Sequence, residues 1–109
     1  MAYSQLLAGR VRDVVGGDRR IEEKKMFGGV CFLLNRNMLV GVWKDWLIVR
    51  LGPAAGAEAL REPFVKEFDV TGKPMRGWVM VEPEGLERDD QLQGWIDRAM
   101  QFVKTLPAK

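Results

Sequence analysis

The sequence contains no histidine, one cysteine (Cys31), one serine (Ser4) and two threonines, Thr71 and Thr105. Without histidine there is no His-based general acid–base catalysis, no Ser-His or Cys-His nucleophile pair, and no zinc site built on mixed His/Cys ligands. A single cysteine excludes an internal disulfide, and Cys31, between Val30 and Phe32, reads as a small buried hydrophobe. None of the hydroxyl residues lies in a nucleophile motif. No apolar run approaches the roughly 20 residues that a membrane-spanning helix needs. The start, "MAYSQLLAGRVRD", lacks the uninterrupted apolar core of a signal peptide because Arg10 and Arg12 break it. A cytoplasmic protein with no membrane contact is expected.

Charge of one sign is also scarce. The formal net charge is +2, and residues 1 to 50 carry nine Lys/Arg against five Asp/Glu, whereas residues 51 to 109 carry eight against ten. That asymmetry is far from the clustered positive charge of a nucleic-acid footprint. Hydrophobic residues make up 47% and charged residues 29% of the 109 residues, as in an ordinary globular chain. The length suits one domain spanning residues 1 to 109, able to bury roughly two-thirds of its unfolded surface.

The pattern predicts a first helix capped by Ser4, with Leu7, Val11 and Val14 or Val15 on one stripe and Gly16-Gly17 ending it. Residues 19 to 25, "RRIEEKK", read as a charged, solvated approach. From Met26 to Leu51 the pattern changes to strands: "GVCFLL", a turn at Asn35-Arg36-Asn37, "MLVGVWK", a turn around Lys44-Asp45, and "WLIVRL". Two hairpins in succession make an antiparallel meander. "PAAGAEALRE" predicts a short helix with Pro53 in its first turn. Residues 64 to 69 and 77 to 82 read as two further strands, joined by turn residues 71 to 74. The closing helix is capped by Asp89 or Asp90, carries Leu92, Trp95, Ile96, Ala99, Met100, Val103 and Leu106 at helical spacing, and is ended by Pro107. The expected fold is α+β, an antiparallel sheet with element order α-β-β-β-α-β-β-α.

Val30 to Leu34 and Met38 to Trp43 are apolar at successive positions, whereas a half-exposed strand alternates with polar residues. Either a second subunit covers the outer side of the meander or the three helices divide between its faces. A homodimer is the expectation.

Gly28 and Gly29 interrupt the first strand run. A phosphate loop needs such glycines before a helix, and a strand follows here, so a sharp corner or close backbone packing is the better reading. Two stretches, Lys24 to Val30 and Lys73 to Val79, share the pattern K-x-M-x-G-x-V. If they lie near one another, Lys24, Phe27, Gly28, Gly29, Lys73, Met75 and Arg76 form a shallow surface for an anionic or peptide partner. Trp43 and Trp46 flank the Lys44-Asp45 turn, where they pair across the hairpin or join an interface. Trp95 reads as core and Trp78 as sheet packing. The acid pairs Glu22-Glu23 and Asp89-Asp90 read as charged surface and helix start, so no catalytic residue, metal site or cofactor site is assigned.

"KKMFGGVCFLLNRNMLVGVWKDWLIVRLG", "DVTGKPMRGWVMVEPEG" and the closing "WIDRAMQFVKTLP" resemble the N-terminal domain of the TfoX/Sxy family across nearly the whole chain. The resemblance implies a bacterial cytoplasmic protein with a secretion-chaperone-like α+β fold. It implies a regulator of natural competence acting with the transcription machinery, not an enzyme. The longer regulators carry a second, helical domain resembling DNA-binding modules. This sequence stops at Lys109, so DNA contact is not expected to carry over. The leading expectation is a non-enzymatic interaction or regulatory module that engages a protein partner. A nucleic-acid-binding regulator and a small-molecule binder are the alternatives.

Overall fold

The computed structural model describes residues 3–26, 28–68 and 75–108. Helix α1 spans Gln5–Val15, and the Ser4 hydroxyl oxygen accepts from the Leu7 amide at 3.1 Å, satisfying one of the free amides at its start. Strands β1 (Ile21–Met26), β2 (Gly29–Leu34), β3 (Asn37–Trp43) and β4 (Trp46–Arg50) follow, then helix α2 (Pro53–Ala59). Strands β5 (Val65–Glu67) and β6 (Trp78–Val81), a 3-10 turn at Pro83–Gly85 and helix α3 (Asp89–Val103) complete the chain. The six strands form one antiparallel sheet in the order β1-β2-β3-β4-β6-β5. No helix among the described residues is long and apolar enough to cross a membrane.

The architecture is the expected α+β with one addition: "RRIEEKK" holds strand β1, paired in register with β2 from Ile21↔Leu34 to Met26↔Gly29. Its residues from Glu22 to Lys25 are exposed, so it has no apolar period to announce it. Charges suit it as an edge strand, because they deter pairing with another sheet. Other differences are small. Asn37 belongs to β3, not to the turn; it is buried and its Nδ2 donates to the Pro107 carbonyl at 2.9 Å. Asn35 and Arg36, both at positive φ, make the β2–β3 turn of the kind that matches strand twist. Helix α3 begins at Asp89 with Arg88 as its cap, and the Arg88 amide donates to Gln91 Oε1 at 2.8 Å. Asp89 and Asp90 therefore sit in the first turn, where carboxylates oppose the positive end of the helix dipole.

The two faces of the sheet differ. Leu7, Val11 and Val15 of α1, Ala59 of α2, and Leu92, Trp95, Ile96, Ala99 and Val103 of α3 share one core with Val30, Phe32, Leu34, Val40, Val42, Leu47, Val49, Val79 and Val81. All three helices thus serve the same face and do not divide between the two. The outer face is a smaller cluster of Ile48, Phe68 and Met80, with Met38, Trp43, Trp46 and Trp78 packed beside it. Cys31, Ile48 and Met80 point to this side and are only 4%, 6% and 7% exposed. Their cover comes in good part from methionine and tryptophan side chains of the same chain, so burial on both faces of β2–β4 is met within one protomer.

A bulge sets which β3 residues face outward. Cα pairing runs Phe32↔Val40 and then Leu33↔Met38, leaving Leu39 unpaired. Leu39 and Val40 both belong to the helix-side core although they are adjacent in sequence. A one-residue shift moves every later side chain to the opposite face. The bulge therefore keeps Val40 and Val42 inward and turns Gly41 and Trp43 outward with Met38.

Candidate functional site

The outer face is concave. One row of residues crosses it through the strand register: Lys24 on β1, Cys31 on β2, Gly41 on β3, Ile48 on β4 and Met80 on β6. Gly41, in the middle, has no side chain, and a cavity of about 600 Å³ opens above it. Met26, Met38, Trp43, Phe68, Met75 and Trp78 supply its walls, and Gly29, Val30, Cys31, Val42 and Ile48 also line it. That volume falls within the roughly 300–1,000 Å³ of small-molecule sites.

Phe68, Met75 and Trp78 close one side. The Met75 amide donates to the Phe68 carbonyl at 3.0 Å, and the Trp78 amide donates to the Met75 carbonyl at 3.2 Å. These bonds bring Phe68, Met75 and Trp78 to one wall, with the Phe68 and Trp78 rings tilted at 40° and their centroids 6.0 Å apart. Four of the six methionines, Met26, Met38, Met75 and Met80, belong to the outer face. Unbranched thioether side chains repack easily, which suits a surface that adapts to what it binds.

Among the described lining residues the one ionisable group is Cys31, whose thiol is pushed above its ordinary range by burial. A raised thiol stays protonated at neutral pH and is a poor nucleophile. Charges lie around the lining instead. The Lys44 ammonium sits 4.6 Å from the Trp43 ring centroid, and the Arg50 guanidinium lies 5.1 Å from that of Trp78. Lys66 lies 5.7 Å from the Trp46 ring and 3.1 Å from Glu82 Oε1. Exposed cation–ring contacts of this kind contribute about 0.5–1 kcal/mol each.

The residues singled out in the sequence fall into three groups. Gly29, Trp43 and Met75 line the cavity. Met26 does too, so the methionines of both K-x-M-x-G-x-V stretches line the same cavity, one from β1 and the other from beside β6. Trp46 pairs with Trp43 across the β3–β4 hairpin and packs on the outer cluster, while Lys24 is exposed opposite Cys31. Gly28 and Arg76 are exposed and do not line the cavity; Arg76 borders shallow grooves beside Trp78 and Gly77. Phe27 and Lys73 lie outside the described residues.

The double glycine has a structural cause. Gly28 takes φ 74° in the β1–β2 turn, a conformation that L side chains adopt rarely. Gly29 lies so close to β3 that a Cβ would run into the Val42 carbonyl oxygen. The acid pairs are engaged elsewhere. Both Glu23 carboxylate oxygens accept from Arg12 at 2.7 and 2.8 Å, tying α1 to β1, and Asp90 accepts from Arg88. The described residues contain no group of three or more His, Cys, Asp or Glu side chains able to hold a metal.

Sequence reasoning passed over Cys31, Met38, Gly41, Ile48, Phe68 and Trp78 as parts of one site. The available signal was "MLVGVWK", a glycine inside an apolar strand with a methionine before it and a tryptophan after it. The sequence model of the family described as TfoX N-terminal domain matches residues 14–103. No curated protein and no solved structure matches the chain.

Proposed function

The chain belongs to the TfoX N-terminal domain family, and on that premise we propose that it is a small non-enzymatic module that acts in regulation by binding. One observation carries the reading. The outer-face cavity is walled by methionine and aromatic side chains, and its one ionisable group among the described residues is a thiol kept neutral. Such a surface binds; it offers no acid, base or nucleophile to a substrate. The family resemblance supports a bacterial, cytoplasmic setting and a role beside the transcription machinery.

The partner we propose is a protein with an acidic, partly apolar segment. It would meet the half-exposed Trp46 with the neighbouring cations Lys44 and Lys66, and Lys24 across the outer face on β1. Affinity capture from a bacterial lysate should recover a protein with the wild-type chain and lose it with Trp46→Ala. Recovery of the same proteins by both would sink the proposal.

Self-association is a separate proposal, supported by the absence of any helix from the outer cluster. Light scattering at tens of micromolar should give twice 12.4 kDa, and a mass of one chain removes it.

A further inference from the structure

We infer that the outer-face cavity is a binding site for a small amphipathic molecule with an apolar body and a single anionic head.

Gly41 is the first support. Glycine weakens a strand interior, and a central strand favours β-branched or aromatic residues. At Gly29 the backbone forbids a side chain; at Gly41 it does not. Gly41 is not among the positive-φ residues, and the nearest atom to a Cβ there would be Met38 Cε at 2.9 Å, the far end of a flexible side chain. The next are the Val30 carbonyl oxygen at 3.4 Å and Cys31 Sγ at 3.5 Å. A side chain at this position would be accommodated by turning Met38, and it would fill the floor of the cavity. The consequence of glycine here is an open space of about 600 Å³ on a face whose other central residues are large and buried.

The walls indicate the body of the ligand. Trp43, Trp78 and Phe68 present aromatic surface, and Met26, Met38 and Met75 give walls that follow the shape of a chain or a flat ring. The described lining residues carry no charged side chain to pair with an ionic head deep inside. The head must therefore lie outside the lining, where described cations stand at separate points around it. Lys24 extends from the same row as Cys31 and Gly41, Lys44 lies on Trp43, and Arg50 lies on Trp78. Among the described acids on this side, Glu82 is held by Lys66, and Glu22 stands opposite Leu33 at the other end of β1. An anionic head emerging beside Lys24, Lys44 or Arg50 meets a positive group, and a cationic head in the same place meets repulsion.

A second copy of the chain fits this cavity poorly. A two-fold contact brings each patch against its own image, and a hollow does not fill a hollow. The inference is also independent of the protein partner proposed above. Trp46 does not line the cavity, so Trp46→Ala tests that partner and Gly41→Leu tests this ligand.

The test uses three molecules with one tail and different heads: dodecanoate, dodecanol and dodecyltrimethylammonium, each kept below its micelle-forming concentration. Binding is followed by calorimetry and by the fluorescence of Trp43 and Trp78. Dodecanoate should bind about tenfold or more tightly than dodecyltrimethylammonium, with dodecanol between them. Gly41→Leu should keep the thermal unfolding transition and weaken all three by at least about tenfold, since it occupies the space of the tail. Met75→Asp, at an exposed position of the wall, should weaken dodecanoate and leave the cationic analogue no weaker; it decides the question if Gly41→Leu fails to fold. Four results overturn the inference. They are no binding of any of the three, binding of the cation as tight as the carboxylate, dodecanoate affinity unchanged in a folded Gly41→Leu, and a doubling of mass that this substitution abolishes.

Discussion

The two faces of the sheet are made by the same strands and obey different packing rules. On the helix side Val30, Phe32, Leu34, Val40, Val42, Leu47 and Val49 meet three helices and are almost wholly excluded from water. Branched and aromatic side chains with few rotamers suit that close packing. On the outer side methionine and tryptophan replace them, glycine occupies the centre of β3, and a cavity persists. A cavity forfeits the dispersion contacts that a filled site makes. The close packing is therefore concentrated on the helix side, and the open space on the other.

That contrast can be broken by experiment, and the largest effect is expected on the helix side. Phe32→Ala removes a ring 1% exposed in the main core and should cost about 3–5 kcal/mol in chemical denaturation. Trp43→Ala, half-buried on the outer face, should cost markedly less, and comparable losses at the two positions would erase the distinction.

A finer contrast lies between two glycines. Gly29→Ala drives a Cβ into the Val42 carbonyl oxygen and should destabilise the fold by about 1–3 kcal/mol, read as a drop in thermal midpoint. Gly41→Ala needs Met38 to shift only its terminal methyl, while alanine lowers the entropy lost on ordering the strand, so its midpoint should change little. Equal drops would mean that both glycines are backbone necessities and that the cavity is incidental.

The smallest expected effect concerns acid. Asp18 accepts from the Arg20 side chain at 3.0 and 2.8 Å and from the Arg20 amide at 2.9 Å, and these bonds lower its carboxyl to about 2 from an ordinary 3.8. Glu23 is lowered in the same direction, first by its hydrogen bonds with Arg12. A lowered carboxyl adds stability above its ordinary pKa and loses it as pH falls through the folded value. Stability should therefore decline slightly between about pH 4 and pH 2, and Arg20→Gln should flatten part of that decline. A slope unchanged by the substitution would mean that Asp18 contributes nothing measurable.

Much of the fold was legible. The meander of β2, β3 and β4 follows from apolar runs punctuated by Asn35-Arg36 and Lys44-Asp45, and α3 from its 3.6-residue stripe, although the helix stops at Val103, short of the end expected at Pro107. Strand β1 was not, because an exposed edge strand has no buried face to impose alternation and Glu22 to Lys25 read as loop. Within the candidate site, the paired Trp43 and Trp46 and the two methionine-bearing stretches could be picked out. Their convergence with Phe68 and Trp78 could not, since it depends on long-range pairing of β4 with β6.

By itself, the order of residues determines the local elements other than β1 and the burial of the meander on both sides, because each depends on composition or short-range period. Tertiary structure alone decides that all three helices take one face, that the Leu39 bulge turns Gly41 outward, and that Gly29 and Gly41 are small for different reasons. Those outcomes depend on which backbone or side chain from a distant strand arrives beside each residue, and a linear pattern does not encode that proximity.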